Sequence, residues 1–150
     1  MSRIKYAAAL LCALILGCGA PDQPAGKSPD PAAQSPGQWL VVNYWAEWCK
    51  PCIEEIPHLN DFAGKHAGTA RVLMVNFDGL RGEELRRQAS RLGIEAEVPE
   101  QDPGPGLGLE RPQALPSTYL IDPDGRLHTV LLGPQTLASL EAAMGLQPAR

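Results

Sequence analysis

Two cysteines separated by two residues stand where a short apolar run gives way to a helical pattern. The apolar run extends from Trp39 to Tyr44 and is rich in residues that favour β-strands, so it predicts a buried strand. From about Cys49 to His66, apolar residues recur at helical spacing. Cys49 and Cys52 therefore lie at the start of a predicted helix that directly follows a predicted strand.

This placement favours a reactive thiolate at Cys49. The free N–H groups and the dipole at a helix N-terminus stabilise an anion, and the thiolate is the form that attacks disulfides. Cys52 lies one turn further on, where it can attack a mixed disulfide formed on Cys49. Pro51 fits the first turn because its missing N–H costs little there, and Lys50 adds a positive charge that favours the thiolate. The motif is typical of a thiol–disulfide exchange site.

A zinc site and a static disulfide are the alternatives for the cysteine pair. A structural zinc ion needs four ligands, but the sequence has no second pair of this kind, and His58, His66 and His128 lack ligand spacing. A static disulfide at a helix start closes a loop of only a few residues, so it stabilises the fold little. We therefore predict no metal site and no organic cofactor, with the Cys49–Cys52 disulfide itself as the redox-active group.

The N-terminus predicts an export signal. Arg3 and Lys5 precede the apolar run Tyr6–Leu16, which is too short as a helix to cross about 30 Å of hydrocarbon. The run ends in Ile-Leu-Gly-Cys at Cys18, which resembles a bacterial lipobox. We predict a lipoprotein signal peptide over residues 1–17 and a lipidated Cys18. The alternative is a conventional secretory signal with an incidental cysteine.

The segment that follows predicts a tether. Residues 18–37 are rich in proline and contain no large apolar side chain, so they cannot build a core. A proline-rich ligand for a partner protein is the alternative. Gly19 follows the predicted lipid cysteine, whereas an aspartate there usually favours retention in the inner membrane of Gram-negative bacteria. The predicted location is therefore lipid-anchored and periplasm-facing, with the outer membrane favoured over the inner membrane.

The composition of the chain indicates that the remaining residues, 38–150, form one folded domain. The chain of 150 residues is 44% hydrophobic, which excludes full disorder. Its formal net charge of −4 argues against a nucleic-acid partner. The basic cluster of Arg86, Arg87 and Arg91 has helical spacing and is interpreted as a solvated helix face.

The order of the predicted elements indicates an α/β fold. After the first strand and helix come a buried strand over 70–77, a charged helix over 82–92, two strands over 117–121 and 126–132, and a last helix over 136–144. The two later strands are joined by Asp-Pro-Asp-Gly, a strong hairpin turn. We predict a mixed central sheet of about four strands, built from a βαβ unit and a C-terminal antiparallel hairpin and flanked by helices.

The connection between the second helix and the hairpin is rich in proline and glycine. A short helical turn is expected near Leu107 to Glu110. The segment Asp102–Gly108 is flexible by composition, and it is either a substrate-facing loop or only a long connection.

Two motifs carry a family resemblance. The sequence of Val42–Cys52 resembles the signature of the thioredoxin superfamily, and its continuation, Ile53–Pro57, is similar to the TlpA/ResA-like extracytoplasmic thiol-disulfide oxidoreductases. Downstream, Leu115–Asp122 resembles the cis-proline segment of that family and the strand that follows it. The resemblance extends from about Trp39 to Gly145 and implies a thioredoxin-like fold.

The same resemblance implies roles for individual residues. Cys49 would be the nucleophile and Cys52 the resolving thiol. The peptide bond between Leu115 and Pro116 would be cis and would leave a backbone edge free to pair with an incoming polypeptide; an ordinary trans proline is the alternative. Trp48 would flank the active site, or it is a packing residue.

Glu55 matches a family acid near the dithiol that assists proton transfer to Cys52. A solvated helix glutamate is the alternative, for which Glu54 is the control. Asn43 stands where many cytoplasmic thioredoxins bury an aspartate, and an amide cannot exchange a proton in this way. Proton handling therefore falls to Glu55 or to water.

The implied function is an extracytoplasmic thiol-disulfide oxidoreductase that reduces disulfides of client proteins. Its implied partners are proteins with cysteines or disulfides, a membrane thiol-disulfide relay as electron donor, and a membrane through the lipid anchor, with no nucleic acid. One alternative is a copper-handling or chaperone-like binding module, although copper-delivery relatives usually have three residues between the cysteines and a nearby histidine. The other is a redox-inert tethered docking domain.

Overall fold

The computed structural model of the protein describes residues 37–146. The predicted signal peptide, Cys18 and almost all of the predicted tether lie outside the described residues. The described elements are β1 (Trp39–Trp45), α1 (Lys50–Lys65), β2 (Ala70–Asn76), α2 (Gly82–Arg91), a 3₁₀ turn (Gly104–Leu107), β3 (Ser117–Ile121), β4 (Leu127–Leu132) and α3 (Leu137–Ala143). None of these helices is long and apolar enough to cross a membrane.

The strands form one mixed sheet in the order β2-β1-β3-β4. β1 runs parallel to β2, and the connection between them is α1, as the βαβ pattern predicts. β3 runs antiparallel to both β1 and β4. At the hairpin turn, Asp122 Oδ1 accepts from the backbone N–H groups of Asp124 and Arg126, and Gly125 has a φ of 80°. The predicted fold class and sheet are therefore confirmed.

The sheet places its side chains in two separate apolar clusters, because neighbouring residues of a strand point to opposite faces. One cluster includes Val41 and Trp45 and draws residues from all three helices. The other consists of strand residues, with Leu107 and Leu109 of the long connection packed against it. The three helices that flank the sheet therefore lie on the same face of it. The parallel bridge of Leu73 to Glu97 explains this, since successive right-handed crossovers in one direction place α1 and α2 on the same side.

The long connection is tied to the sheet, contrary to the flexibility expected from its composition. Tyr44 Oη donates to Asp102 Oδ1 at 2.7 Å, and the same oxygen accepts from the Gly104 N–H at 2.8 Å. A Cβ on Gly104 would collide with Tyr44 Oη, so the close approach requires glycine. The predicted turn near 107–110 is wrong by about three residues, because Gly108 adopts a φ of 68° and ends the 3₁₀ turn.

The basic cluster on α2 is a solvated helix face, as predicted. Arg86 pairs with Glu100 at 3.0 Å, and Arg91 pairs with Glu47 at 2.7 Å, while all three arginine side chains stay more than half exposed. Exposed pairs of this kind stabilise a fold by less than about 1 kcal/mol each. The Arg91 contact nevertheless fixes Glu47, which lies two residues before Cys49.

Candidate active site

Cys49 and Cys52 are joined by a disulfide at the N-terminus of α1. Cys49 is the N-cap residue, and its Sγ accepts from the Cys52 backbone N–H at 3.3 Å, while Pro51 occupies the first turn. Cys49 is 5% exposed and Cys52 is fully buried. Of the two, only Cys49 keeps any exposed surface, and its sulfur lies where the helix N-terminus stabilises negative charge.

The Leu115–Pro116 segment precedes β3 at the end of the sheet where β1 leads to the disulfide. The peptide bond between these residues is cis. β3 begins one residue later, and Ser117 pairs with Tyr44 near the end of β1, four residues before the loop reaches Trp48. The Pro116 carbonyl accepts from the Gly133 N–H at 3.0 Å, which ties this segment to the end of β4. The role of Pro116 in exchange remains a prediction.

Trp48 flanks the disulfide and projects into solvent, with 66% of its surface exposed. Its indole N–H points to the Asp78 carboxylate, at 3.1 Å from Oδ2, and its ring meets the edge of Phe77. Arg111 stacks on Phe77 and donates to the Phe77 carbonyl. Trp48 is thus an exposed residue whose ring is fixed by Asp78 and Phe77, and no sequence pattern predicted either partner.

Glu55 is buried on the inner side of α1, only 1% exposed, so the interpretation as a solvated glutamate is wrong. Its Oε1 accepts from Asn43 Nδ2 at 2.8 Å, and its Oε2 accepts from the Gln135 N–H at 2.7 Å. Burial raises the pKa of Glu55 to about 7, although both hydrogen bonds act in the opposite direction. Glu54, the control residue, is exposed and pairs with Lys50 at 3.8 Å.

The Lys50–Glu54 pair weakens the electrostatic effect that the sequence predicts for Lys50 on the Cys49 thiolate. Lys50 is 88% exposed, and the carboxylate of Glu54 lies one turn along the same helix face. Solvent screening and the nearby opposite charge weaken the effect of the ammonium group on a thiolate. The helix N-terminus is therefore the larger stabilising influence on Cys49.

Sequence reasoning missed two members of the site, Thr118 and Gln135. Thr118 accepts from Asn43 Nδ2 at 3.0 Å, and Gln135 supplies the backbone donor to Glu55. Thr118 is brought opposite Asn43 by β1–β3 pairing, and Gln135 by the segment just before α3; no local pattern specifies either position. Across residues 37–146, no three His, Cys, Asp or Glu side chains are grouped so that they could hold a metal ion.

The sequence of the chain is similar to those of known protein families and relatives. The model of the AhpC/TSA family matches residues 26–130. Among curated proteins, the thioredoxin-like protein YneN of Bacillus subtilis is 26% identical over 111 residues, covering 73% of this chain and 65% of that protein. The thiol:disulfide interchange protein HelX of Rhodobacter capsulatus is 34% identical over 107 residues, covering 67% and 55%. The chain thus spans about 55–65% of the length of these two relatives.

Solved structures show that the fold is thioredoxin-like. StoA from Bacillus subtilis superposes with a TM-score of 0.60 at 19% identity, covering 73% of this chain and 84% of that chain. A DsbF homologue from Corynebacterium diphtheriae gives 0.60 at 21% identity, covering 73% and 71%. At these identities the likeness concerns the fold.

Proposed function

Since this chain belongs to the AhpC/TSA family, we propose that it is a thiol-disulfide oxidoreductase that reduces disulfides of client proteins. The observation that carries the proposal is the Cys49–Cys52 disulfide at the N-terminus of α1, in which Cys49 keeps a small exposed surface and Cys52 is fully buried. The names of the curated relatives YneN and HelX support the same chemistry.

The exchange proceeds in two attacks by sulfur. In the reduced protein, the Cys49 thiolate attacks a client disulfide, forms a mixed disulfide and releases one client thiolate. Cys52 then loses its proton and attacks the Cys49 Sγ, which re-forms the internal disulfide and releases the second client thiolate. Two electrons pass to the client, and the two leaving thiolates take up protons. A membrane thiol-disulfide relay is the proposed class of donor that returns the protein to the dithiol form.

Glu55 is the proposed acceptor of the Cys52 proton. It follows Cys52 by three residues in α1, on the same helix face, and it is buried as Cys52 is. A carboxyl group whose pKa is raised to about 7 exists in both forms near neutral pH, which suits a group that takes up and returns a proton. The amide of Asn43 cannot perform this task.

A protein client fits the surface around Cys49. Trp48 is exposed beside the disulfide, and Leu132, which pairs with Ser117 at the start of β3, is 72% exposed. Large apolar side chains exposed near a reactive group are typical of surfaces that contact other polypeptides. We expect the backbone beside Pro116 to pair with an extended client segment.

Cys52→Ser should accumulate mixed disulfides with client proteins. Serine cannot attack the Cys49 Sγ, so the first intermediate persists. We expect adducts of higher mass on non-reducing gels after expression in a bacterial host, which dithiothreitol removes and mass spectrometry maps to Cys49.

The double variant Cys49→Ser/Cys52→Ser is the matched control and should form no adduct. Adducts of equal yield in the double variant would contradict the role of Cys49. A copper-handling protein would instead give a metal-dependent mass shift of the folded dithiol form without trapped clients.

We further propose that the protein is lipid-anchored through Cys18 and faces the periplasm, with the outer membrane favoured. The support is the sequence of the N-terminus: a positive start, an apolar run too short to span a bilayer, and a lipobox-like end. More than one acyl chain on Cys18 would give stable anchoring.

Labelled palmitate tests the anchor. In a bacterial host, the wild-type chain should incorporate the label and Cys18→Ala should not. Cys12→Ala, which changes a cysteine inside the predicted signal peptide, should keep it. Equal labelling of the wild type and Cys18→Ala would refute the anchor at this position.

A further inference from the structure

Glu55 shares a hydrogen-bonded network with Asn43, Thr118 and Gln135. We call these four residues the Glu55 cluster. Asn43 Nδ2 donates to Glu55 Oε1 at 2.8 Å and to Thr118 Oγ1 at 3.0 Å. The Gln135 backbone N–H donates to Glu55 Oε2 at 2.7 Å. All four residues are buried, so the side chains of the cluster bond to protein groups and not to solvent.

The hydrogen-bond partners of Glu55 in this arrangement are both donors. This arrangement suits a carboxylate, which only accepts. A carboxylic acid also has an O–H to donate, and a buried O–H without an acceptor is costly. The arrangement therefore satisfies one protonation state of Glu55 and leaves the other without a partner for its proton.

Asn43 holds the acceptor that the acid form needs. Its Oδ1 is buried and has no hydrogen-bond partner within residues 37–146. A half-turn of the side-chain amide exchanges Oδ1 and Nδ2, which directs Oδ1 toward Glu55 Oε1 and Thr118 Oγ1. In the first orientation Oδ1 lacks a partner, and in the reversed orientation Nδ2 lacks one. Because each orientation leaves one amide atom unpaired, the protonation state of Glu55 decides which of them is favoured.

The other two members of the cluster are compatible with both orientations. The Thr118 hydroxyl accepts from Nδ2 in one orientation and donates to Oδ1 in the other. The Gln135 N–H keeps its bond to Oε2, so the proton of Glu55 belongs on Oε1, the oxygen that faces Asn43.

Neighbouring charged side chains do not contribute to the protonation equilibrium of Glu55. In the described part of the chain, burial and the hydrogen bonds from Gln135 and Asn43 set the pKa of Glu55. No charged side chain of β1, β3 or the segment before α3 contributes to that pKa in the described structure. The other ionisable side chains of α1 are exposed: Lys50, Glu54, His58, Asp61 and Lys65. The thiols of Cys49 and Cys52, at the start of the same helix, become titratable only once the disulfide is reduced.

We propose that Asn43 is a positioning residue whose side-chain amide reverses when Glu55 gains or loses its proton. The amide donates to the carboxylate and accepts from the carboxylic acid, so Glu55 keeps one position while it receives the Cys52 proton and later returns it to solvent. The proposal rests on the proposed function for its role in exchange. The reversal itself is a property of the folded protein in either redox state.

A pH titration of the oxidised full-length protein by NMR tests the reversal. The probes are the carboxyl carbon of Glu55 and the side-chain amide nitrogen and protons of Asn43. We expect both residues to titrate with one common midpoint near pH 7, and we expect the Asn43 change to disappear in Glu55→Gln. Asn43 resonances that stay fixed through the Glu55 titration, or that still shift in Glu55→Gln, would overturn the proposal.

This experiment needs no client and no turnover. A protein that fails to reduce disulfides would refute the proposed function and would still show whether the Asn43 amide follows Glu55. Conversely, a catalytically active protein with a fixed Asn43 amide would refute the reversal alone. The two failures are therefore distinguishable.

Discussion

Cys49→Ser should lower the rate of insulin reduction in the presence of dithiothreitol to the rate with dithiothreitol alone. A serine hydroxyl does not ionise near neutral pH and cannot form a disulfide, so no first attack takes place. Cys52 cannot substitute for Cys49, because it is fully buried and lies behind the helix N-terminus instead of at it. The measurement is the turbidity that develops as the insulin chains separate.

Cys18→Ser is the matched control for this experiment. It also exchanges a cysteine for serine, but at a position outside the disulfide, and it should keep the wild-type rate. A Cys49→Ser protein that reduces insulin as fast as the wild type would contradict the enzyme proposal and favour a redox-inert docking domain.

Glu55→Gln should remove most of a pH-dependent loss of stability. The folded protein holds the Glu55 proton up to about pH 7, whereas the unfolded chain releases it near 4.5. Between these values the folded state binds more protons, so the free energy of unfolding falls as the pH rises. A shift of this size corresponds to roughly 3 kcal/mol between pH 4.5 and 8. Glutamine carries no such penalty because it does not titrate.

Urea denaturation of the oxidised wild type and Glu55→Gln at pH 5 and pH 8 measures this effect. The stability of the variant relative to the wild type should rise by about 2–3 kcal/mol from pH 5 to pH 8, since groups that titrate in both proteins cancel. Glu54→Gln, at an exposed position, should show no such change. An equal pH dependence in the wild type and Glu55→Gln would show that Glu55 is ionised in the folded protein throughout this range.

Much of the fold follows from local patterns. The strand Ser117–Ile121 has the predicted bounds. β1, β2, β4 and α2 differ from their predictions by one residue at one end, and α1 and α3 are one residue shorter at each end. The apolar runs and the hairpin turn carry enough local information to place these elements. The position of the turn at Gly104 is not local, because it depends on Tyr44, a residue of a distant strand.

The candidate site was predictable only in part. The Cys49–Cys52 pair is visible because strand, turn and helix are contiguous in sequence. The environment of Glu55 is not, because Thr118 and Gln135 lie 63 and 80 residues further along the chain. Sheet pairing brings Thr118 to Asn43, the partner of Glu55, and chain packing brings Gln135 to Glu55 itself. The same limit applies to Trp48, whose partner Asp78 comes from the loop after β2.

Redox equilibration of the Cys49–Cys52 pair tests the central claim most directly. The wild-type protein is equilibrated with mixtures of reduced and oxidised glutathione or dithiothreitol, its free thiols are alkylated, and the oxidised fraction is measured by mass spectrometry. In a working exchange site the disulfide should be reduced and re-formed reversibly while the protein stays folded. We expect a midpoint reduction potential between about −120 and −270 mV. A midpoint below about −300 mV, or unfolding on reduction, would identify the pair as a structural disulfide and contradict the account.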